Sequence, residues 1–560
     1  MVRLIPICLL LLSGPLLGCT ATVPCASSAC PLTDAGGSVD AGAEFERDAG
    51  PERDGGTDAG GAPEVDAGAE SDGGRVDGGG PPPTPWSQLA YVKASNTRAG
   101  FRFGDAVAIS GNGVTLAVGS TFEGSSAQGI SGAAPMSGAV YVFTRGAGGW
   151  QQQAFLKASN AGADDSFGNA IALSDDGDTL AIGSPGDDSA STGVNGDQVD
   201  AGAPLSGAVF VFIRVGTTWQ QQAYLKASNP GAHDVFGAQL ALSGDGNTLV
   251  VGASNEDSNA RGPGGDETND LATQSGAAYV FSRSGTTWTQ HAYLKASNSD
   301  PDDLFGNAVA ISSDGQTIAV AARGEGSEST GVNQDQLNDR APASGAVYVF
   351  ARSGTRWVQT EYVKPSNTRR NASFGRTVEL SHDGSVLAVG APGDASPSRG
   401  INGDQSLSLS TQSSGAVFLL RRVGGVLAQE AFVKASNADP NDLFGLATAL
   451  SDDGETLFVG AFNEAGAGIG FNADESTNSQ KLSGAAYIFR HRASGWAQDA
   501  YVKASNARAD SLFGASVASS SDGRTLAAGA IAESSGAMGV NGAQTDQSAP
   551  LAGSVYVFGR

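Results

Sequence analysis

Cysteine is missing from nearly the whole chain: all four, Cys8, Cys19, Cys25 and Cys30, fall within its first 30 residues. Disulfides and Cys-based metal sites are therefore excluded as the framework of everything downstream. Histidine is also scarce. His233, His291, His382 and His491 share no zinc-ligand spacing; His382 falls in a hairpin turn and His491 at a strand end, so both read as solvated surface. No Gly-x-Ser-x-Gly elbow, phosphate loop or dinucleotide fingerprint occurs. No catalytic residue is nominated, and the chain reads as a non-enzyme without a cofactor. After Leu17 no apolar run is long enough to span a bilayer. Positive charge is short too, with 33 Lys and Arg against 58 Asp and Glu, a formal net charge of −25. That balance disfavours nucleic acid as a partner.

What the chain does have is a sevenfold repeat. An aromatic residue followed by a hydrophobe, Lys, Ala or Pro, Ser and Asn opens a unit at Tyr91, Phe155, Tyr224, Tyr293, Tyr362, Phe432 and Tyr501, at intervals of 64, 69, 69, 69, 70 and 69 residues. A period of this size marks one supersecondary unit that buries its apolar faces only by stacking on copies of itself. The third unit shows four β-prone runs: Trp219 to Lys226, Ala238 to Ser243, Thr248 to Gly252 and Ala277 to Ser282. Ser-x-Asp-Gly between the second and third runs, as at Ser313-Asp314-Gly315 and Ser521-Asp522-Gly523, is a tight-hairpin signal, because Gly takes positive φ at little cost.

Each unit is thus predicted to be a four-stranded antiparallel meander. Runs such as Val140-Tyr141-Val142-Phe143 are apolar at successive positions, so both sheet faces should be covered, as in a blade clamped between two others. Trp stands five residues before the opening aromatic at Trp86, Trp150, Trp219, Trp288, Trp357 and Trp496, with Leu427 in its place once. Nothing of that kind follows Ser554 to Phe558, so the missing last strand should come from Trp86 to Lys93. The expected fold is all-β, a seven-bladed β-propeller closed by its N-terminal strand, with no open edge left to aggregate.

Phe-Gly recurs at Phe103-Gly104, Phe167-Gly168, Phe236-Gly237, Phe305-Gly306, Phe374-Gly375, Phe444-Gly445 and Phe513-Gly514. Gly-Ala-Pro is complete at Gly390-Ala391-Pro392 and partial at Gly183-Ser184-Pro185, Gly252-Ala253 and Gly460-Ala461. In these motifs the segment from Trp86 to Arg560 resembles the FG-GAP repeat family, whose best-known members are the integrin α-chain propellers. It is most similar to the bacterial, lipoprotein-borne branch, for which the resemblance implies roles in adhesion or ligand binding. Calcium-binding members carry a ladder of acids in the first hairpin, since the ion needs six to eight oxygens. The short Ser-x-Asp-Gly here departs from that pattern, so calcium is not expected.

Two further residues recur in every unit. An acid follows the third run at Glu123, Asp187, Glu256, Glu325, Asp394, Glu464 and Glu533, and Lys recurs at Lys93, Lys157, Lys226, Lys295, Lys364, Lys434 and Lys503. A residue every blade needs equally serves the blade, so a repeated ion pair or loop cap is favoured over a cation-binding rim, and as an exposed pair it is worth about 0 to 1 kcal/mol. Five long loops also carry Gly, a hydrophobe and Asn, at Asn195, Asn333, Asn402, Asn472 and Asn541. A repeated β-turn is the favoured meaning and a weak calcium site the alternative. Strand parity puts these loops on one face, and segments such as Ser258 to Thr273 read as polar and solvent-facing.

The first residues form an export signal, a short positive start followed by Leu4 to Leu17. Leu16-Leu17-Gly18-Cys19 resembles the lipobox of bacterial lipoproteins, which implies cleavage before Cys19 and acylation of that residue. Two or more acyl chains hold a protein stably to a bilayer, and Thr20 implies the outer membrane. Cys25 and Cys30 are either a small disulfide loop or two unrelated thiols. From Pro31 to Pro85 there are 13 acids against Arg47, Arg53 and Arg75, a net charge of −10, and almost nothing to build a core. Such a stretch should be a disordered tether spanning on the order of 40 Å.

The expected organisation is a signal peptide over 1–18, an anchor and acidic linker over 19–85, and the propeller over 86–560. The expected function is a monomeric, lipid-anchored envelope module for binding or adhesion, held to the lipid bilayer by Cys19 and presenting its loops to a protein or glycan. A hydrolase built on the loops and an envelope assembly scaffold are the alternatives.

Overall fold

A computed structural model describes residues 85–125 and 134–560. The predicted signal, Cys19, Cys25, Cys30 and the acidic linker lie outside the described residues. Apart from one 3-10 turn at Leu409–Thr411, all regular structure among the described residues is β.

Seven sheets each carry an antiparallel meander of four strands. Blade 1 is Val107–Ile109, Thr115–Ser120, Ala139–Gly146 and Gly149–Leu156, and blades 2 to 6 repeat it. Blade 7 takes Phe513–Ser519, Thr525–Ala530 and Ser554–Gly559 from the end of the chain and Ser87–Val92 from its start, with Tyr91 opposite Tyr556. The seven-bladed fold and its closure by the first strand are as predicted. What differs is that one sequence unit is not one blade. The Trp run that opens each sequence unit is the outermost strand of the preceding blade; Thr218–Leu225 pairs with Ala208–Val215, so one sequence unit straddles two blades. Every boundary between blades is thereby crossed by covalent chain.

The continuous apolar runs are explained by packing on both faces. Val140 and Val142 sit in one cluster with Leu180 and Ile182 of blade 2, while Tyr141 and Phe143 sit in another with Val555 and Val557 of blade 7. Successive side chains point to opposite faces of a strand, so a run of apolar neighbours serves two interfaces at once. The Phe-Gly and Gly-Ala-Pro glycines meet near the axis, where the blades converge. A Cβ on Gly183 would lie 1.9 Å from the carbonyl oxygen of Gly237 in the next blade, and Gly237 itself has φ +86°. Only glycine fits either position.

The outer strand pair of each blade is interrupted by a bulge, and in four blades the extra residue accepts a hydrogen bond from the Trp of the next blade. Trp219 Nε1 donates to Gln153, Trp288 to Gln222, Trp496 to Glu430 and Trp86 to Asp499, at 2.9 to 3.1 Å. Where Leu427 replaces Trp, the corresponding bulge residue is Thr360, which donates to Val349 of its own blade instead.

Candidate functional site

The recurrent Lys and acid form a ring of buried ion pairs. In blades 1 to 7 the acid accepts from Lys157, Lys226, Lys295, Lys364, Lys434, Lys503 and Lys93 at 2.6 to 3.3 Å. Ion pairing is therefore as predicted, but the pairs are not exposed: Lys295 is fully buried and Glu256 is 2% exposed. Long loops close over them. Burial pushes the Lys295 ammonium below its ordinary value, against the pull of Glu256. In six blades a Ser hydroxyl takes a second Lys proton, as Ser275 does at 2.7 Å.

Three residues after each Lys, an Asn reaches the acid of the following blade. Lys226 donates to Asp187, and Asn229 donates to Glu256 at 3.0 Å. The opening Lys-x-Ser-Asn is thus a clasp with one hand on each side of a blade boundary. Its acids are committed to internal partners, which leaves them poor candidates for calcium.

The Gly-hydrophobe-Asn motif is not a simple β-turn. Gly331–Val332 and Gly470–Phe471 form short extra strands on blades 4 and 6, and single bridges do the same at Val194, Ile401 and Val540. The Asn clamps the edge. Asn195 N–H donates to the Tyr224 carbonyl at 2.7 Å, and its side-chain oxygen accepts from Tyr224 N–H at 2.9 Å, with Asn195 at φ +55°. In blade 3, Gly264 takes that place, bonding Tyr293 through its backbone alone. A shallow groove of about 430 Å³ opens there, lined by Gly264, Asp266, Glu267, Gln290, His291 and Tyr293.

Strand parity does bring the long loops to one face, and they expose apolar side chains at their tips. Val199, Leu271, Leu337, Leu407, Ile469 and Met538, one in each of blades 2 to 7, are all 60% exposed or more. The loop bases differ. Within Ser258 to Thr273, expected to be polar and solvent-facing, Ser258, Ala260 and Ala272 are buried, and Gly262 N–H bonds the carbonyl of Ala296, just past the outer strand. The stretch from Gly265 to Leu271 contains no buried residue, and its ties include those to the Asp266 and Glu267 carbonyls, from Ser258 and Asn229, and to the Glu267 carboxylate, from Ser228.

On the opposite face the inner hairpins hold hands around the axis. Asn112 N–H donates to Asp175, Asp175 to Gly244, Gly244 to Ser313, Asp314 to His382, His382 to Asp452, Asp452 to Ser521 and Ser521 to Gly111, at 2.8 to 3.0 Å. His382 is part of this ring, with Nδ1 3.8 Å from Asp452. His491, expected to be solvated, is instead held between Glu455 at 2.6 Å and Glu430 at 3.3 Å. Its ring also packs on Trp496. Among the described residues no group of three His, Cys, Asp or Glu is placed to hold a metal.

Sequence reasoning missed the innermost strands, where the signal was a departure from the repeat. Where six blades have Ala on the inner strand, blade 5 has Glu379, whose carboxyl burial pushes up to about 8.

Seven radial meanders around an axis define the class, a seven-bladed β-propeller. Four of its seven sequence units match the FG-GAP repeat family, over residues 86–143, 150–212, 219–281 and 288–350. No curated protein matches the chain. Among solved structures it is similar to the β-propeller domain of Cps50 (Swd1) from Myceliophteria thermophila, at 9% identity and a TM-score of 0.44, over 85% of this chain and 100% of that one.

Proposed function

We propose that this protein is a non-enzymatic binding or adhesion module, anchored to the outer membrane through lipid on Cys19, that presents its propeller loops to a protein or glycan. The observation that carries the reading is a division of labour. Residues repeated in every blade are spent on internal bonds, whereas the loops that differ between blades expose Val199, Leu271, Leu337 and Leu407 on one face. Variable, exposed loops on a rigid scaffold are where binding function concentrates. The match of four units to the FG-GAP repeat supports the same reading.

The test has two parts. Cys19→Ser is expected to abolish acyl-chain labelling and membrane retention; unchanged labelling overturns the anchor. The full chain is then screened against immobilised glycans and envelope or matrix proteins. Each hit is rescreened after the loop tips are exchanged for Gly/Ser, blade by blade. Binding that survives all seven exchanges in a body that stays folded moves the site off this face. Protease accessibility on whole cells decides whether the loops meet the periplasm or the exterior.

A further inference from the structure

We propose that Arg323 and Arg376 form a receptor for an oxyanion, a carboxylate or phosphate group, on the loop side of the boundary between blades 4 and 5. Both arginines break the repeat. Arg376 follows the Phe-Gly pair of blade 5, where the other blades have Asp105, Asn169, Ala238, Asn307, Leu446 and Ala515. Arg323 follows the second strand of blade 4, where the others have Thr121, Pro185, Ser254, Pro392, Phe462 and Ile531. At the same boundary Ala321 stands where the other blades keep the axial glycine, and a Cβ on Gly375 would lie 2.8 Å from it. A residue shared by all blades serves the scaffold, so three departures at one boundary point to a local task.

The backbone brings the two residues together. Asn307 accepts the Arg323 N–H at 2.7 Å and donates to the carbonyl of Gly375, the residue before Arg376, at 2.8 Å. One amide thus ties both arginines into a common frame across the boundary. Strand parity places them on the loop side, since the second strand ends and the inner strand begins there. Neither guanidinium has a hydrogen bond or an ion pair among the described residues, and both are half-buried. The contrast with blade 1 is direct: Asp105 at the position of Arg376 is held by Arg102 and Thr121. Burial and the neighbouring charge of Arg323 push the Arg376 guanidinium down to about 10. Burial pushes the carboxyl of Glu379, on the same inner strand, up to about 8, which makes it a weak counter-charge near neutral pH.

Two partly desolvated cations held side by side cost free energy unless an anion joins them. Guanidinium presents a planar fork that matches carboxylate and phosphate oxygens in bidentate fashion. The whole protein is strongly acidic, with a net charge of −25, so the attraction is local to this pair rather than a general field. This inference names a ligand chemistry that the loop-face reading leaves open, and it does not depend on that reading, because its probes are small ions and its variants leave the loops intact.

Isothermal titration of the full chain with inorganic phosphate, and separately with succinate, at constant ionic strength in chloride, tests it. Saturable binding of one or both is expected, and which of them binds tells phosphate from carboxylate. Arg323→Gln or Arg376→Gln should weaken it about tenfold or more, whereas Arg98→Gln, at an exposed loop position, should leave it unchanged. Melting temperatures of the Arg323 and Arg376 variants should be no lower than the parent's, since neither guanidinium bonds within the chain. No saturable binding of either ion, or equal affinity in the Arg323→Gln/Arg376→Gln double variant and the parent, overturns the proposal.

Discussion

Lys93 Nζ lies 2.8 Å from Glu533 Oε2, joining residues 440 positions apart inside the protein. The pair repeats six bonds made elsewhere between residues only 34 to 40 positions apart. It is the one that closes the ring: Lys93 directly follows the first strand, and Glu533 belongs to the last blade. Asn96, three residues on, donates to Glu123 of blade 1 at 3.2 Å, so the clasp is unbroken around all seven blades.

Breaking this pair should therefore hurt more than an exposed ion pair would. Lys93→Met or Glu533→Gln leaves a partner buried and uncompensated, which costs about 3 to 5 kcal/mol. Denaturant titration of each variant, and of Lys93→Met/Glu533→Leu, measures it. The double variant should recover part of the loss, and single losses below about 1 kcal/mol would return these pairs to the exposed class.

Deleting Trp86 to Lys93 removes the outer strand of blade 7, its Trp86 bond to Asp499 and the ring-closing Lys. An open edge and an uncovered apolar face remain. Its melting temperature should fall far more than after deletion of Pro31 to Thr84. Equal melting temperatures for the parent and the Trp86 to Lys93 deletion would count against closure by this strand.

Stability should decline as pH rises through neutrality. Burial pushes the carboxyls of Asp165, Asp234 and Asp442 up to about 7 and that of Asp303 up to about 8, although each accepts a backbone N–H. In the unfolded chain these groups titrate near 3.8. Between those values the folded chain holds protons the unfolded chain has released, so the contribution is full below about 4 and lost as pH rises through about 7 to 8. Melting temperatures measured from about pH 5.5 to 8.5 should fall, and Asp303→Asn should flatten the slope. A flat or rising profile in the parent contradicts the burial of these carboxyls.

Calcium removal should change little. The acids that would ligate it each accept a Lys proton, and an ion adds stability only by binding the native state. A large drop in melting temperature with chelator, reversed by calcium, would put the ion where the lysines now sit.

Scaffold and loop mutations should part company. Phe305→Ala deletes a fully buried ring that meets Tyr348 at 5.4 Å, at a cost of about 3 to 5 kcal/mol. Replacing Gly265 to Leu271 with Gly/Ser should leave thermal stability nearly unchanged. Extending the exchange back to Ser258 should not, because that residue is buried and its hydroxyl bonds Asp266 at 2.7 Å. Similar stability after the short and long exchanges would mean the loop base carries no load.

Much of this was legible in the sequence because a repeat multiplies every weak signal by seven. Phe-Gly, Asp-Gly and the Lys-acid pairing each recur in register, which fixed blade number, strand order and the closing role of Trp86 to Lys93. The periodicity also named the partners in the buried ion pairs. It could not say that they were buried, because burial of Lys295 and Glu256 depends on how the long loop folds back. Nor did it separate an Asn that turns a loop from one that clamps Tyr224 from 29 residues away.

The sequence by itself determined the number of blades, the alternation that covers both faces of each sheet, and the strand that completes the ring, because these follow from local pattern and its period. Only the tertiary structure decided which residues share an environment. Convergence on the axis sets Arg323 beside Arg376, 53 positions apart in the chain, and loop closure turns a surface ion pair into a buried one. Both depend on distances across blades, which no one-dimensional pattern contains.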